Sequence, residues 1–185
     1  FYGDVNGRIK LASQEDAQKV VDAIKGGSFL VSSLKNSKKK KLPAPPFTTS
    51  TMQQEEERKL GFQSQKIMKI AQELYEGINV GSENGGVQGL ITYMRTDSQR
   101  VSADAQSEAR AYIGEKYGNE YYPESPRQYK AKASAQDAHE AIRPSDITLE
   151  PKLIKKMLST DQYKLYKLIW ERFLASQMES ALFDT

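Results

Sequence analysis

Tyr93 and Arg95 are the two residues of this sequence with the plainest chemical potential. A tyrosine hydroxyl is a nucleophile, and a guanidinium can grip phosphate oxygens with a planar fork. The run Leu90-Ile91-Thr92-Tyr93-Met94 favours a pleated, half-buried surface and predicts a strand. Side chains alternate along a strand, so Tyr93 and Arg95 should project from one face. Thr96, Asp97 and Ser98 then supply short oxygen-bearing side chains where the strand ends. A free tyrosine titrates near ~10, so it needs a nearby cation or base to react at neutral pH. Arg95 cannot be that base, but it can stabilise developing negative charge. Tyr-x-Arg is a weak motif by itself. On spacing alone the commoner reading is a buried tyrosine and a surface arginine entering a polar turn.

His139 and Arg143 form a second candidate pair. Ser134 and Asp137 resemble a helix-capping pair, and Pro144 would end the helix, which places His139 and Arg143 on one face. A lone histidine is more often structural than chemical. With a single histidine and no cysteine, a multi-histidine metal centre, a thiolate metal site and disulfides are excluded. The net charge of +3, from 27 basic and 24 acidic residues, is a mild bias, so nucleic-acid binding would require local clustering. No apolar run is long enough to span a bilayer, no secretory leader is visible, and the lack of cysteine fits the cytoplasm.

The elements that must position these residues can be read in order along the 185-residue chain. Asn6-Gly7 predicts a hairpin turn, and Ser13 with Asp16 a helix start. Ala17, Val20, Val21 and Ile24 share one helical face, Gly26-Gly27 stops the helix, and Phe29 to Val31 predict another strand. Lys38 to Lys41, followed by Pro43, Pro45 and Pro46, reads as an exposed linker, with a phosphate-contacting arm as the functional alternative. Thr48 to Thr51 offer caps for a helix running to Leu60 with Gly61 as its stop. Ser64 caps the next helix, whose apolar face is Ile67, Ile70, Ala71, Leu74 and Tyr75. Such a pair could be a helix-turn-helix unit or plain helical packing. Gly81 to Gly86 is a turn without a phosphate-loop spacing. Ser102 caps a helix with Ala105, Ala109, Tyr112 and Ile113 on its inner face, closed by Gly118. The loop carrying Tyr121, Tyr122 and Tyr129 either clamps to the core or stacks on bases. Two helices follow Thr148, the second with Leu165, Leu168, Ile169, Trp170 and Phe173 inward, and Ala181 to Thr185 reads as a strand.

Three stretches together resemble one family. LITYMRTDS (Leu90–Ser98) resembles the active-site segment of the type IA, bacterial topoisomerase I family of DNA topoisomerases. PFTTSTMQQ (Pro46–Gln54) with Leu60-Gly61-Phe62 is similar to the segment upstream of it, and AHEAIRP (Ala138–Pro144) to the downstream histidine motif, in the family's order. The resemblance runs along essentially the whole chain. It implies a mainly α fold with short β strands, in which a helix-turn-helix-like (CAP-like) tyrosine domain is inserted between segments of a strand-containing arch domain. Residues 1–42 and 146–185 would belong to the arch and 43–145 to the tyrosine domain.

By resemblance, Tyr93 becomes joined to a 5′ phosphate of single-stranded DNA and Arg95 is its transition-state partner. Thr96, Asp97, Ser98, His139 and Arg143 would contact the DNA, with His139 near Tyr93. The family uses Mg²⁺ on an acidic cluster of a separate N-terminal domain and relaxes negative supercoils without ATP. The chain opens on Phe1 and both ends look like strands cut short, so the expectation is an inert piece of a monomeric, cytoplasmic, nucleoid-associated enzyme whose partners are DNA and its other domains. The competing reading is a non-catalytic nucleic-acid-binding helical module, for which the Tyr93 hydroxyl would be dispensable. Either way, weak and salt-sensitive binding of single-stranded DNA is expected of this chain, because so small a net charge neutralises few phosphates. Fluorescence anisotropy at low and moderate salt tests it, and tight, salt-insensitive binding would contradict it.

Overall fold

A computed structural model describes residues 2–4, 7–8, 10–129 and 139–185. The chain divides into two units, Phe1–Ser37 together with Thr185, and Lys38–Asp184.

In the first unit, β1 (Tyr2–Asp4) pairs antiparallel with β2 (Gly7–Arg8). Asp4 lies opposite Gly7, so Gly7 belongs to the strand rather than to the predicted Asn6-Gly7 turn; Val5, Asn6 and Ile9 lie outside the described residues. Helix α1 (Gln14–Ile24) starts as expected, with Ser13 Oγ accepting the Asp16 N–H. Its apolar face buries nothing within the described residues, since Val21 and Ile24 are both exposed. The strand expected at Phe29 to Val31 does not form. These residues have no ladder partner and stand in solvent.

The second unit contains the core. Its first element corrects the linker reading: Lys38–Lys41 is a strand, β3, paired antiparallel with β6 (Ala181–Asp184), Lys38 opposite Asp184 and Lys41 opposite Ala181. The backbone ladder supplies what lysine's weak strand preference does not. Glu179 fixes the junction, receiving Lys40 Nζ at 3.0 Å and Arg127 Nη2 at 3.3 Å. The Ser180 N–H first, and Lys40 next, hold its carboxyl down at about 2.

Thr48 then caps α2 (Thr49–Leu60) in a reciprocal box with Thr51, and Gly61 closes it at φ 67°, a left-handed conformation that glycine adopts without a Cβ clash. Phe62 drops into the core, and α3 (Ser64–Glu76) starts from Gln63 without a side-chain cap, not from Ser64 as expected. Its buried face is Ile67, Ile70, Ala71 and Leu74, while Tyr75 stays exposed. A small hairpin, β4 (Ile78–Asn79) and β5 (Val87–Gln88), spans the glycine-rich turn.

Helix α4 (Ala103–Lys116) follows a Ser102 cap and buries Ala105, Ala109, Tyr112 and Ile113, the predicted face. The first helix expected after Thr148 shrinks to a 3-10 turn at Lys155–Met157, in a stretch that Pro151 keeps irregular. The second is α5 (Thr160–Gln177), which buries Leu165, Tyr166, Ile169, Trp170 and Phe173, with Leu168 only half-buried. Tyr112 meets Trp170 edge-on at 5.7 Å, a favoured aromatic geometry. Tyr166 and Trp170 also donate to the Leu149 and Ile147 carbonyls, so α5 anchors the stretch leading out of the histidine motif. Tyr129 clamps its loop by donating to the Ser176 carbonyl, whereas Tyr121 is exposed. No helix among the described residues is long and apolar enough to cross a membrane.

One core position is chemically costly. Glu56 is fully buried beside Met52 on α2, and neither carboxylate oxygen has a hydrogen-bond partner. Burial, reinforced by neighbouring Glu55, pushes its carboxyl up from 4.5 to about 7. Below pH 4.5 both folded and unfolded chains hold this proton. Between 4.5 and about 7 the unfolded chain releases it first, so stability falls as pH rises through that window. The loss reaches ~3 kcal/mol above it, at about 1.4 kcal/mol per tenfold change in proton affinity. Glu56→Leu should therefore stabilise the chain at pH 8 far more than at pH 5. Thermal unfolding at the two pH values tests this, and an equal gain at both would contradict it.

Candidate active site

The tyrosine segment is not the predicted strand, since the chain bends at Thr92, Met94 and Arg95. Its only ladder contact is an isolated antiparallel bridge between Ile91 and Pro144 among the described residues. Alternation survives nonetheless: Tyr93, Arg95 and Asp97 are exposed, while Met94, Thr96 and Ser98 are buried. Tyr93 and Arg95 thus share the solvent side, as a two-residue period requires.

The segment 139–145 holds this register, and it too differs from expectation. It is extended where a helix bearing His139 and Arg143 on one face was predicted. Ser134, Asp137 and Ala138 lie outside the described residues. The backbone groups a helix would satisfy internally go to neighbouring segments instead. Ile142 N–H donates to Phe47 O at 2.8 Å, Ala141 N–H to Arg100 O at 2.8 Å and Ser145 N–H to Leu90 O at 3.0 Å. Thr92 closes the seam. Its N–H donates to Arg143 O at 2.9 Å, its hydroxyl donates to Ala141 O at 2.7 Å and accepts the Arg143 N–H at 3.0 Å.

The other side of the segment is held by the start of α2. Thr49 Oγ1 donates to Met94 O at 2.7 Å and accepts the Thr96 N–H at 2.9 Å, while the Thr49 N–H donates to Thr96 O at 2.9 Å. Helix N-termini have spare N–H donors, and one of them is used here to bind the loop after the tyrosine.

These two seams bring Tyr93 and His139 together. Their ring centroids are 6.1 Å apart and tilted by 31°, with no hydrogen bond between the two side chains. Tyr75, from the last turn of α3, packs edge-on against Tyr93 at 5.3 Å. Tyr93 remains 39% exposed. Arg95 is exposed with no carboxylate in salt-bridge range among the described residues.

The remaining candidates are placed differently. Arg143 is spent locally: Nε and Nη2 reach Glu140 Oε2 at 2.9 and 2.8 Å, and Nη1 donates to Pro144 O. Thr96 and Ser98 are buried, and their hydroxyls accept the N–H groups of Ser98 and Arg100. Of the three short oxygen-bearing residues, only Asp97 faces solvent.

Sequence reasoning missed Thr49, Tyr75, Thr92 and Gly89. Thr49 was legible only as part of a cap, and nothing local marks the tertiary partners of Thr92 or Tyr75. Gly89 has a steric reason. Leu90 N–H donates to Leu74 O at 2.7 Å, and a Cβ on Gly89 would stand 2.5 Å from the Tyr75 carbonyl oxygen. That oxygen belongs to the helix backbone and cannot swing aside as a side chain would. Gly89→Ala should cost about 1–3 kcal/mol, as overpacking does, and should move Tyr93 relative to Tyr75. Gly26→Ala, with nothing within 4 Å of its added Cβ, serves as the control and should leave the unfolding midpoint nearly unchanged. Equal midpoints for the two variants would contradict the steric argument.

Residues 3–185 match the family model described as DNA topoisomerase. The structure is similar to that of full-length topoisomerase I from Thermotoga maritima, with a TM-score of 0.73 and 42% sequence identity over 98% of this chain and 28% of that one. The chain therefore spans under a third of that relative's length. With a family match along almost the entire sequence and 42% identity to a bacterial topoisomerase I, this chain belongs to the type IA, bacterial topoisomerase I family of DNA topoisomerases.

Proposed function

We propose that this chain is the tyrosine-bearing part of an enzyme that cuts and reseals single-stranded DNA. The observation that carries the reading is the exposed Tyr93 ring packed near both Tyr75 and His139, with Arg95 also facing solvent. In the reaction, Tyr93 Oη attacks the phosphorus of a phosphodiester and a new P–O bond forms. The bond from phosphorus to the 3′ oxygen breaks, and the phenolic proton is delivered to that oxygen. A 5′-phosphotyrosyl link and a free 3′ hydroxyl result. Reversal by the 3′ hydroxyl restores the phosphodiester and the tyrosine, so no nucleotide is consumed. Passage of a strand between the two steps relaxes negative supercoils.

Arg95 stabilises the charge that builds on the phosphate oxygens, which its two-pronged guanidinium suits. His139 supports Tyr93, holding the scissile phosphate or relaying the proton. Thr96 and Ser98 act by shaping the loop, and Arg143 by fixing the histidine segment through Glu140. The family resemblance implies Mg²⁺ on an acidic cluster elsewhere in the enzyme. Among the described residues no group of His, Asp and Glu side chains is placed to hold a metal ion. The isolated chain is accordingly expected to be inert, and the chemistry is to be tested in the full-length enzyme.

Tyr93→Phe keeps the ring packing and removes one hydroxyl, so it should abolish the covalent DNA adduct without unfolding the protein. Arg95→Ala should slow cleavage by about 10²–10³, the usual cost of losing a donor to a developing oxyanion. Arg95→Lys should recover only part of this, because an ammonium lacks the planar fork. His139→Ala should be milder. Relaxation of negatively supercoiled plasmid with Mg²⁺, scored beside adduct yield, reads all four. A persistent adduct in Tyr93→Phe would place the nucleophile elsewhere and favour the non-catalytic binding module for this chain.

A further inference from the structure

A groove opens beside Arg95, lined by Gln53 of α2 and by Ser64, Gln65, Met68, Lys69 and Gln72 of α3. Its composition is unusual for a chain with 24 acidic residues, because no carboxylate lines it. Its two cations also differ from their neighbours. Lys59, Lys66, Arg58 and Arg172 are all engaged by acidic side chains. Lys69 and Arg95 have no carboxylate within salt-bridge distance among the described residues. Along α3 the exposed Gln65 and Lys69 and the half-buried Gln72 recur at helical spacing, and the same face continues to Tyr75, which packs on Tyr93. Arg95, two residues from Tyr93, is itself part of the lining and places the groove beside the tyrosine segment.

From this arrangement we infer that the α3 groove is the track for the DNA strand that stays attached to Tyr93, running 3′ of the scissile phosphate. The inference rests on the reading of Tyr93 as the nucleophile. Arg95 and Lys69 take phosphates, the Gln53 and Gln65 amides hydrogen-bond to sugars while Gln72 is held by Glu76, and the Met68 thioether gives a base an apolar surface. Gln65 to Gln72 covers about 10 Å of helix, which at ~3.4 Å per stacked nucleotide accommodates about three nucleotides. Amides and one lysine give no base code, so the track is tolerant of sequence. Its effect is to keep the broken end on the tyrosine-bearing unit while the other end departs.

The test uses the full-length enzyme and two labelled oligonucleotides, one ending a single nucleotide 3′ of the cleavage site and one extending four. Equilibrium binding is read by anisotropy across a salt series, and adduct formation is scored separately. The wild-type enzyme should bind the longer strand more tightly. Lys69→Gln should reduce that gain by roughly two- to fivefold, the worth of one exposed ion pair. It should also make the log–log salt slope shallower by about 0.7. Lys167→Gln, on α5 and paired with Glu171, should preserve both. Adduct should still form in Lys69→Gln, since Tyr93 is untouched. If Lys69→Gln keeps the full gain and the full slope, the groove faces another part of the enzyme or solvent and the inference is overturned. Absence of adduct in the wild-type enzyme would sink the nucleophile assignment instead, whatever the binding curves show.

Discussion

The site depends on a seam of hydrogen bonds between two segments remote in sequence. Thr92 contributes its N–H and both roles of its hydroxyl to residues 141 and 143, and Leu90 and Ile91 add contacts to residues 144 and 145. Phe47 and Arg100 accept from the far side of the same histidine segment. Each such bond is worth only about 1 kcal/mol net, but leaving a partly buried donor unpaired costs more. The seam is therefore cooperative in effect: it is favourable only when all of its members are in register. That register sets which residues of the tyrosine segment face out.

Exposure of Tyr93 follows from this. Met94, Thr96 and Ser98 are drawn inward, Thr96 by the hydroxyl and N–H of Thr49 at the head of α2, so the odd-numbered residues between them must face solvent. Gly89 lets the chain pass close to the end of α3, which seats Tyr75 against the reactive ring. The histidine segment, whose continuation is held by α5 through Ile147 and Leu149, seats His139 near the same ring. Two rings thus pack against one side chain whose segment is fixed by α2 and the histidine segment, and that side chain remains exposed. A side chain fixed in this way, in the nucleophilic role proposed for Tyr93, would lose little conformational freedom when a phosphate arrives.

How much of this was legible in the sequence depends on how local the physics is. The helix starts at Ser13, Thr48 and Ser102, the stop at Gly61 and the inner face of α4 depend on neighbours within a turn, and they were read correctly. Elements whose partners lie far along the chain were not. Four lysines in a row look solvated until Ala181–Asp184 pairs with them. Leu90 to Met94 has strand-like composition, but its partner is an irregular segment containing Pro144, which cannot donate, so only a bridge forms. The stretch from His139 to Arg143 has helical spacing, but bonds to Phe47, Leu90, Thr92 and Arg100 outcompete it. The chemistry of Tyr93 and Arg95 was visible as residue types and became specific only through the family resemblance. That Thr96 and Ser98 face inward, and that Arg143 is held by Glu140, required coordinates.

The central claim is that the seam presents Tyr93, and not the neighbouring Tyr75 at 5.3 Å, as the nucleophile. The most direct measurement is to trap the covalent complex of the full-length enzyme with single-stranded DNA, digest both polymers and locate the nucleotide-bearing peptide by mass spectrometry. The account predicts a 5′-phosphonucleotide on Tyr93 alone. Modification of Tyr75, or of any other side chain with Tyr93 unmodified, would contradict it.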